Sequence, residues 1–165
     1  MSTTDHNILA SDQARRLIQF IRSEIPLAKA MDLQLGAYDG DMLSLRAPLP
    51  PNVNDKGCAF GGSLVSLMTL SGWALVEMAL RRQGLDCDVF VAESGVRYLA
   101  PLWQDFCSEA RLAEEASWIT FFATLAARGR ARINVECVVP GADAQPAATL
   151  SARFVAKRRD RTATA

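Results

Sequence analysis

The sequence predicts an α+β fold in which a curved antiparallel sheet wraps around one long buried helix. Three observations carry this expectation. The stretch GCAFGGSLVSLMTLSGWALV, Gly57 to Val76, holds no charged residue, and a helix that is apolar on nearly every side must be enclosed. On both sides of it, short segments alternate apolar and polar residues, the period of half-buried strands. The chain has 165 residues, half of them apolar, which is enough for one core and one domain, so helix and sheet must cover each other.

Residues 1–10 are polar and expected to form a flexible tail, followed by a single domain over 11–157 and a basic tail over 158–165. In SDQARRLIQFIRSEI, Ser11 and Asp12 suit a helix cap, and Leu17, Ile18, Ile21 and Ile25 recur at helical spacing. Pro26 then suits the first turn of a short second helix through Met31. LQLGAYDGDMLSLRA alternates on either side of Asp39-Gly40, a pair favoured in tight hairpin turns, and reads as two antiparallel strands. The proline-rich PLPPNVNDKG can continue neither element. It leads into the apolar helix from about Gly61 to Arg82, with Gly84 as stop signal. Downstream, CDVFVAESGVRYLAP and DFCSEARLA read as strands, SWITFFATLAARG as a short helix, and ARINVECVVP and AATLSARFVAK as two closing strands. No repeat, low-complexity tract or linker divides the chain.

The net charge is zero and the pI about 6.6, so no overall basic field draws the chain to nucleic acid or an acidic membrane. The AKRRDRT run reads as a solvated tail, with docking to an acidic partner as the alternative. The Gly57–Val76 stretch is long enough to cross a bilayer. It carries Ser63, Ser66, Thr69 and Ser71 and is followed at once by Glu77, so it reads as a buried helix rather than a span. Cys58, Cys87, Cys107 and Cys137 lack metal-ligand spacing and no signal peptide precedes them, so reduced thiols, a cytoplasmic location and no metal are expected. The only histidine, His6, sits in the polar N-terminal segment, so neither a Ser/His nor a Cys/His nucleophile can be assembled. Most hydrolase mechanisms lose their base.

What remains for chemistry is NDKGCAFGGSL, Asn54 to Leu64. Asn54 is either a functional amide or a turn former and cap. Gly61-Gly62 either let a substrate approach the backbone or let helix pack against sheet. Ser63, Ser66 and Thr69 read as hydroxyls bonded to the preceding helical turn. Cys58 lies close to a helix start, where a thiol can be activated. Arg97, Lys157, Arg158 and Arg159 are candidates for holding a phosphate or an acidic protein.

Hairpin, Gly-Gly loop and enclosed helix together resemble the hot-dog fold of acyl-thioester enzymes. Thioesterases of the phenylacetyl-CoA type in that superfamily carry N-x-x-G-x-x-H-G-G, then an acidic residue within the helix. Here the pattern reads Asn54, Gly57, Phe60, Gly61 and Gly62, and the acidic position falls at or beside Thr69. More closely, NDKGCAFGGSLVSLMTLSGWALV, ESGVRYLAP and RFVA resemble the family named after the C-terminal domain of the bacterial protein YiiD. That resemblance implies a hot-dog homodimer, or dimer of dimers, with its site between subunits. It also implies the stand-alone form of an enzyme that decarboxylates malonyl-acyl carrier protein to acetyl-acyl carrier protein at the start of fatty acid synthesis.

On this reading Asn54, Gly61 and Gly62 form an oxyanion hole with Thr69 as the fourth catalytic candidate. Phe60 walls the pocket, and Ser63 and Arg97 bind substrate. Loss of CO2 needs a stabilised enolate and no base to begin, and no cofactor beyond the phosphopantetheine of the carrier protein or coenzyme A. Two rivals stay open. One is hydrolysis of an acyl-CoA or acyl-carrier-protein thioester, with Glu77 or Glu93 as base across the dimer. The other is a non-catalytic acyl-thioester-binding regulator, for which the sequence offers no basic recognition helix.

Overall fold

A computed structural model describes residues 3–143 and 145–159, with residues 3–11 as backbone. Along the chain come α1 (Thr3–Glu24), α2 (Pro26–Ala30), β1 (Gln34–Tyr38), β2 (Met42–Ala47), a 3-10 turn at Pro50–Asn52, α3 (Gly61–Arg82), β3 (Cys87–Tyr98), β4 (Phe106–Leu112), α4 (Trp118–Arg128), β5 (Arg130–Pro140) and β6 (Pro146–Arg158). The six strands form one antiparallel sheet in the order β1-β2-β4-β5-β6-β3, with α3 packed against β2, β3, β4, β5 and β6. The enclosed helix and wrapped sheet expected from the sequence are therefore present, and α3 has the expected bounds.

One boundary differs. Helix α1 begins at Thr3 rather than at Ser11 and Asp12, so the expected tail over 1–10 is helical in backbone from its third residue. Asp12 lies inside the helix, where its carboxylate accepts a hydrogen bond from the Arg15 guanidinium at 3.1 Å instead of capping. Asp12 can serve either purpose, and propensity alone does not choose. Of the expected basic tail, residues 160–165 lie outside the described residues, while Arg158 ends β6.

Each element follows from local chemistry. In the hairpin, Gly40 takes φ 108, and the Asp39 carboxylate accepts the N–H groups of Asp41 and Met42 at 2.9 and 2.8 Å. Those two bonds hold the Asp39 carboxyl below its ordinary value. Helix α3 is capped at its C-terminus by Gln83, followed by Gly84 at φ 65, and α4 is capped by Gly129 at φ 67, where glycine adopts the left-handed conformation without a Cβ penalty.

Leu64, Leu67, Met68, Leu75 and Met78 of α3 are buried against the sheet, each contributing about 1.5–3 kcal/mol. Helix and sheet approach closely at Gly72: a Cβ there would lie 2.8 Å from the Phe154 ring and 3.3 Å from Cys137 Sγ. The Cys137 thiol donates to the Met68 carbonyl at 3.2 Å, and burial pushes its pKa up to about 12. Helix α4 packs along β5, whose residues 130–134 lie beyond the part, Val135–Val138, that pairs with β4. Strand β3, twelve residues long, has β6 on one side and, among the described residues, no strand on the other.

The Gly72 contact makes a specific demand on stability. Gly72→Val is expected to lower the unfolding free energy by roughly 1–3 kcal/mol in denaturant titrations, since the ring it meets is fully buried. Wild-type stability in that variant would mean that helix and sheet do not depend on this close approach.

Candidate active site

The loop before α3 folds on itself before it reaches the helix. Asn52 is buried, and its side-chain N–H groups donate to the carbonyls of Met31 and Pro48 at 3.0 and 2.7 Å, tying the loop to the end of α2. The Phe60 N–H then returns to the Asn52 carbonyl at 2.7 Å, and the Ala59 N–H donates to Leu102 at 2.8 Å. Between them, the Asn54 Oδ1 accepts the N–H groups of Lys56 and Cys58 at 2.8 and 3.3 Å, and its Nδ2 donates to Cys58 Sγ at 3.2 Å. Gly57, at φ 85, completes the turn. Asn54 is thus a turn former in this structure, with its carbonyl committed to the loop and one amide hydrogen on a thiol.

Helix α3 starts with Phe60 as N-cap, without a side-chain cap and with no acidic residue in its first turn. Its first N–H groups, at Gly61 to Ser63, have no intrahelical acceptor and stand at the positive end of the helix dipole. The exposed Phe60 ring lies over Gly62, where a Cβ would collide with it. Tyr98, 53 % exposed, donates its hydroxyl to the Gly61 carbonyl at 3.1 Å. Beside this contact is a cavity of about 320 Å³ lined by Ala59, Gly61, Leu64, Tyr98, Leu99 and Pro101, among others. Among the described residues no carboxylate or imidazole lines it.

The opposite end of the α3–β3 seam is pinned by Trp73, whose indole N–H donates to the Val89 carbonyl at 2.9 Å. Between the two pins, Gly62, Ser66, Thr69 and Trp73 fall within one stripe of the helix, spaced three to four residues apart and each only partly buried. Opposite them are the inward positions of β3, Val91, Ser94, Val96 and Tyr98, paired with the buried Phe154, Ala152, Leu150 and Ala148 of β6. Val91 and Ser94 are exposed even though they face the helix side. The small side chains of the stripe leave this part of the seam open along the unpaired edge of β3.

Several expected site residues come together here and others do not. Phe60, Gly61, Gly62 and Ser63 share the first turn, and Thr69 lies two turns further on the open stripe. Ser66 donates to the Gly62 carbonyl at 2.7 Å, as a helix-interior hydroxyl does, whereas Thr69 and Ser63 make no such bond among the described residues. Arg97 is not brought to the site of its own chain. It occupies an outward position of β3 opposite Thr149, because side chains alternate along a strand and Tyr98 takes the inward one.

Glu77 and Glu93 are also elsewhere. Glu77 is 16 residues along α3 from Gly61, about 24 Å, buried, and bound to Arg81 at 3.2 Å. Burial raises its pKa above the ordinary 4.5, partly offset by Arg81. Glu93 faces outward and pairs with Arg153 at 3.1 Å. Tyr98 and Ser94 of β3 and Trp73 of α3 border the candidate site and were not singled out in the sequence reading. For the two strand residues the signal present was the inward parity of β3, unreadable without the position of its bulge between Val91 and Glu93.

A long apolar helix enclosed by a curved antiparallel sheet, with a bare helix start at the end of a Gly-Gly loop, defines a hot-dog protein of the thioesterase class. The profile of the family described as "Putative thioesterase (yiiD_Cterm)" matches residues 14–158, and the chain belongs to that family. A protein of unknown function from Chlorobaculum tepidum superposes with a TM-score of 0.84 at 27 % identity, over 90 % of this chain and 96 % of that one. A protein from Shewanella oneidensis described as a "putative thioesterase" gives 0.78 at 28 %, over 88 % and 99 %. A thioesterase from Haemophilus influenzae, at 11 % identity over 90 % and 92 %, shares the fold with a TM-score of 0.68.

The Glu77 site generates a pH dependence of known sign. A carboxyl whose folded pKa lies above its unfolded value keeps its proton longer in the folded state, so its contribution to stability falls as pH rises from about 4.5 through the higher folded value. Glu77→Gln retains an acceptor for Arg81 and removes the titration. Its stability relative to wild type is expected to increase over that interval and then level off, as read from urea unfolding across pH; a flat difference would show that Glu77 titrates alike in both states.

Proposed function

We propose that the protein decarboxylates a malonyl thioester at the first turn of α3, releasing an acetyl thioester. The observation that supports this reading is the cavity beside Gly61 and Tyr98, which pairs an uncapped helix N-terminus with a lining that offers no carboxylate or imidazole. In the reaction the bond between the malonyl Cα and its carboxylate breaks and CO2 departs. The electron pair is delocalised onto the thioester oxygen, and Cα then takes a proton from solvent. The step needs donors for the enolate oxygen and no base.

The N–H groups of Gly61 to Ser63 supply such donors, each worth on the order of 3–4 kcal/mol in the transition state. Asn54 acts by shaping the loop that delivers them, with its remaining amide hydrogen as the candidate side-chain donor. Phe60, Leu64 and Leu99 keep the surroundings of the departing carboxylate apolar. Thr69 and Ser66 line the floor along which the acyl end lies, between Tyr98 and Trp73. The carrier is acyl carrier protein or coenzyme A.

Two copies of the chain pair along the free edge of β3 in this proposal. That edge presents twelve residues of strand without a partner among the described residues, carries the exposed Val91 and Tyr98 with Leu99 just beyond, and borders the open seam that a second copy would roof. Unpaired apolar edges of this length are normally covered.

Hydrolysis is the second reading, favoured by the description of the family and of the Shewanella oneidensis protein. It requires a base, and neither Glu77 nor Glu93 stands at the α3 start of its own chain.

Pure protein incubated separately with malonyl- and acetyl-loaded carrier protein discriminates the two. Malonyl carrier losing the mass of CO2 with its thioester intact, and acetyl carrier left unchanged, is the expected result; free carrier thiol from both substrates would replace decarboxylation by hydrolysis. Gly62→Ala displaces the Phe60 ring and is expected to lower turnover on the order of a hundredfold. Asn54→Ala loses the loop acceptor and is expected to lower turnover together with about 1–3 kcal/mol of stability.

A further inference from the structure

The outer face of the sheet, away from α3, carries a group of cations that form no ion pair among the described residues, although Glu115 lines the far end of the adjoining groove. Antiparallel register places Arg130 directly opposite Lys157, and Arg132 opposite Val155. Arg128, in the last turn of α4, borders the same surface. Two adjoining grooves, of about 340 and 310 Å³, run between α4 and this face and meet at Thr124 and Arg132. Among the described residues, none of Arg128, Arg130, Arg132 and Lys157 has a carboxylate within 4.0 Å. The acid next in the row, Asp88, opposite Lys157 on β3, is already held by Arg159 at 2.7 Å.

Like charges placed directly across a strand pair destabilise a sheet. In a chain of zero net charge, a cluster of four cations is a segregation that folding did not require. Arg128 offsets the negative end of the α4 dipole; Arg130, Arg132 and Lys157 lie beyond that turn and have no such explanation. The centre of the surface is apolar, with Phe90 of β3, 58 % exposed, beside Val155 in the same row as Arg132. A surface of arginines around an exposed aromatic ring matches a protein partner. A small phosphate is the poorer match, because the helix end bordering the groove presents carbonyl oxygens rather than N–H groups.

We propose that this surface docks the acidic protein that carries the acyl thioester. The proposal rests on the acyl-thioester reading of the α3 site and adds where the carrier lands. The landing place is remote from the site of its own chain: Asp88 and Tyr98 are ten residues apart on β3, roughly 30 Å. In antiparallel self-pairing of β3, the Asp88 end of one strand lies by the Tyr98 end of the other. The carrier therefore docks on one subunit and delivers its thioester to the site of the second.

The test is charge reversal, Arg130→Glu with Arg132→Glu, with Lys157→Glu as an independent variant; all three side chains are exposed, and thermal unfolding confirms that each variant folds. The probe is the carrier protein of the same organism in its phosphopantetheine form, titrated at low and high salt. Expected are a loss of carrier affinity on the order of tenfold or more, a wild-type affinity that falls steeply with salt, and unchanged turnover of the same acyl group on coenzyme A. Carrier affinity unaltered by reversal overturns the docking surface even where coenzyme A thioesters are turned over. Equal impairment of carrier and coenzyme A substrates overturns it as well, assigning the cations to phosphate. Binding that is lost on reversal, in a protein that turns over no thioester, upholds the surface and removes the reaction proposed for the α3 site.

Discussion

The constraint on which the structure depends is the enclosure of α3. A helix with buried residues on most of its circumference cannot stand against a flat sheet with one face in water. Strands must curve round it, and the sheet places β2, β4, β5, β6 and β3 in contact with the one helix. Gly72 sets how closely they approach, because the Phe154 ring occupies the space a side chain would need. Volume is the currency of that contact, and packed interiors have little to spare.

Enclosure also determines where chemistry can occur. A helix wrapped along its length presents polar backbone only at its ends, and its N-terminus carries unpaired donors. The loop through Asn52, Asn54 and Phe60 uses its hydrogen bonds to aim that terminus at the seam with β3. The seam stays open between Tyr98 and Trp73 because Gly62, Ser66 and Thr69 are small. The same residues that close the helix against the sheet elsewhere are replaced here by ones too short to fill the gap.

Charge is arranged on a different principle. Most ion pairs, such as Arg153 with Glu93 and Arg159 with Asp86 and Asp88, neutralise one another at the surface and contribute little to stability. Arg130, Arg132 and Lys157 form no such pair among the described residues, and that contrast is what the proposed docking surface is argued from.

Much of this was legible in the sequence for reasons of period and punctuation. The uncharged run fixed α3, Asp39-Gly40 the hairpin, and Gly84 the end of α3, because each depends on local backbone preference or on one repeating face. The Asn-Gly-Gly loop also announced the helix start at which the candidate site lies. What the sequence left undecided depended on contacts between distant segments. Asn54 reads equally as catalyst or turn former until the thiol and N–H groups of its own loop are seen to claim it. Arg97 and Tyr98 are adjacent letters, and only the strand bulge and the pairing with β6 decide which of them faces the helix. Arg130 and Lys157 are far apart in sequence and neighbours only through register. Local chemistry specified the elements and the loop; tertiary structure alone decided which side chains share a face, since facing is a property of pairing and not of the chain.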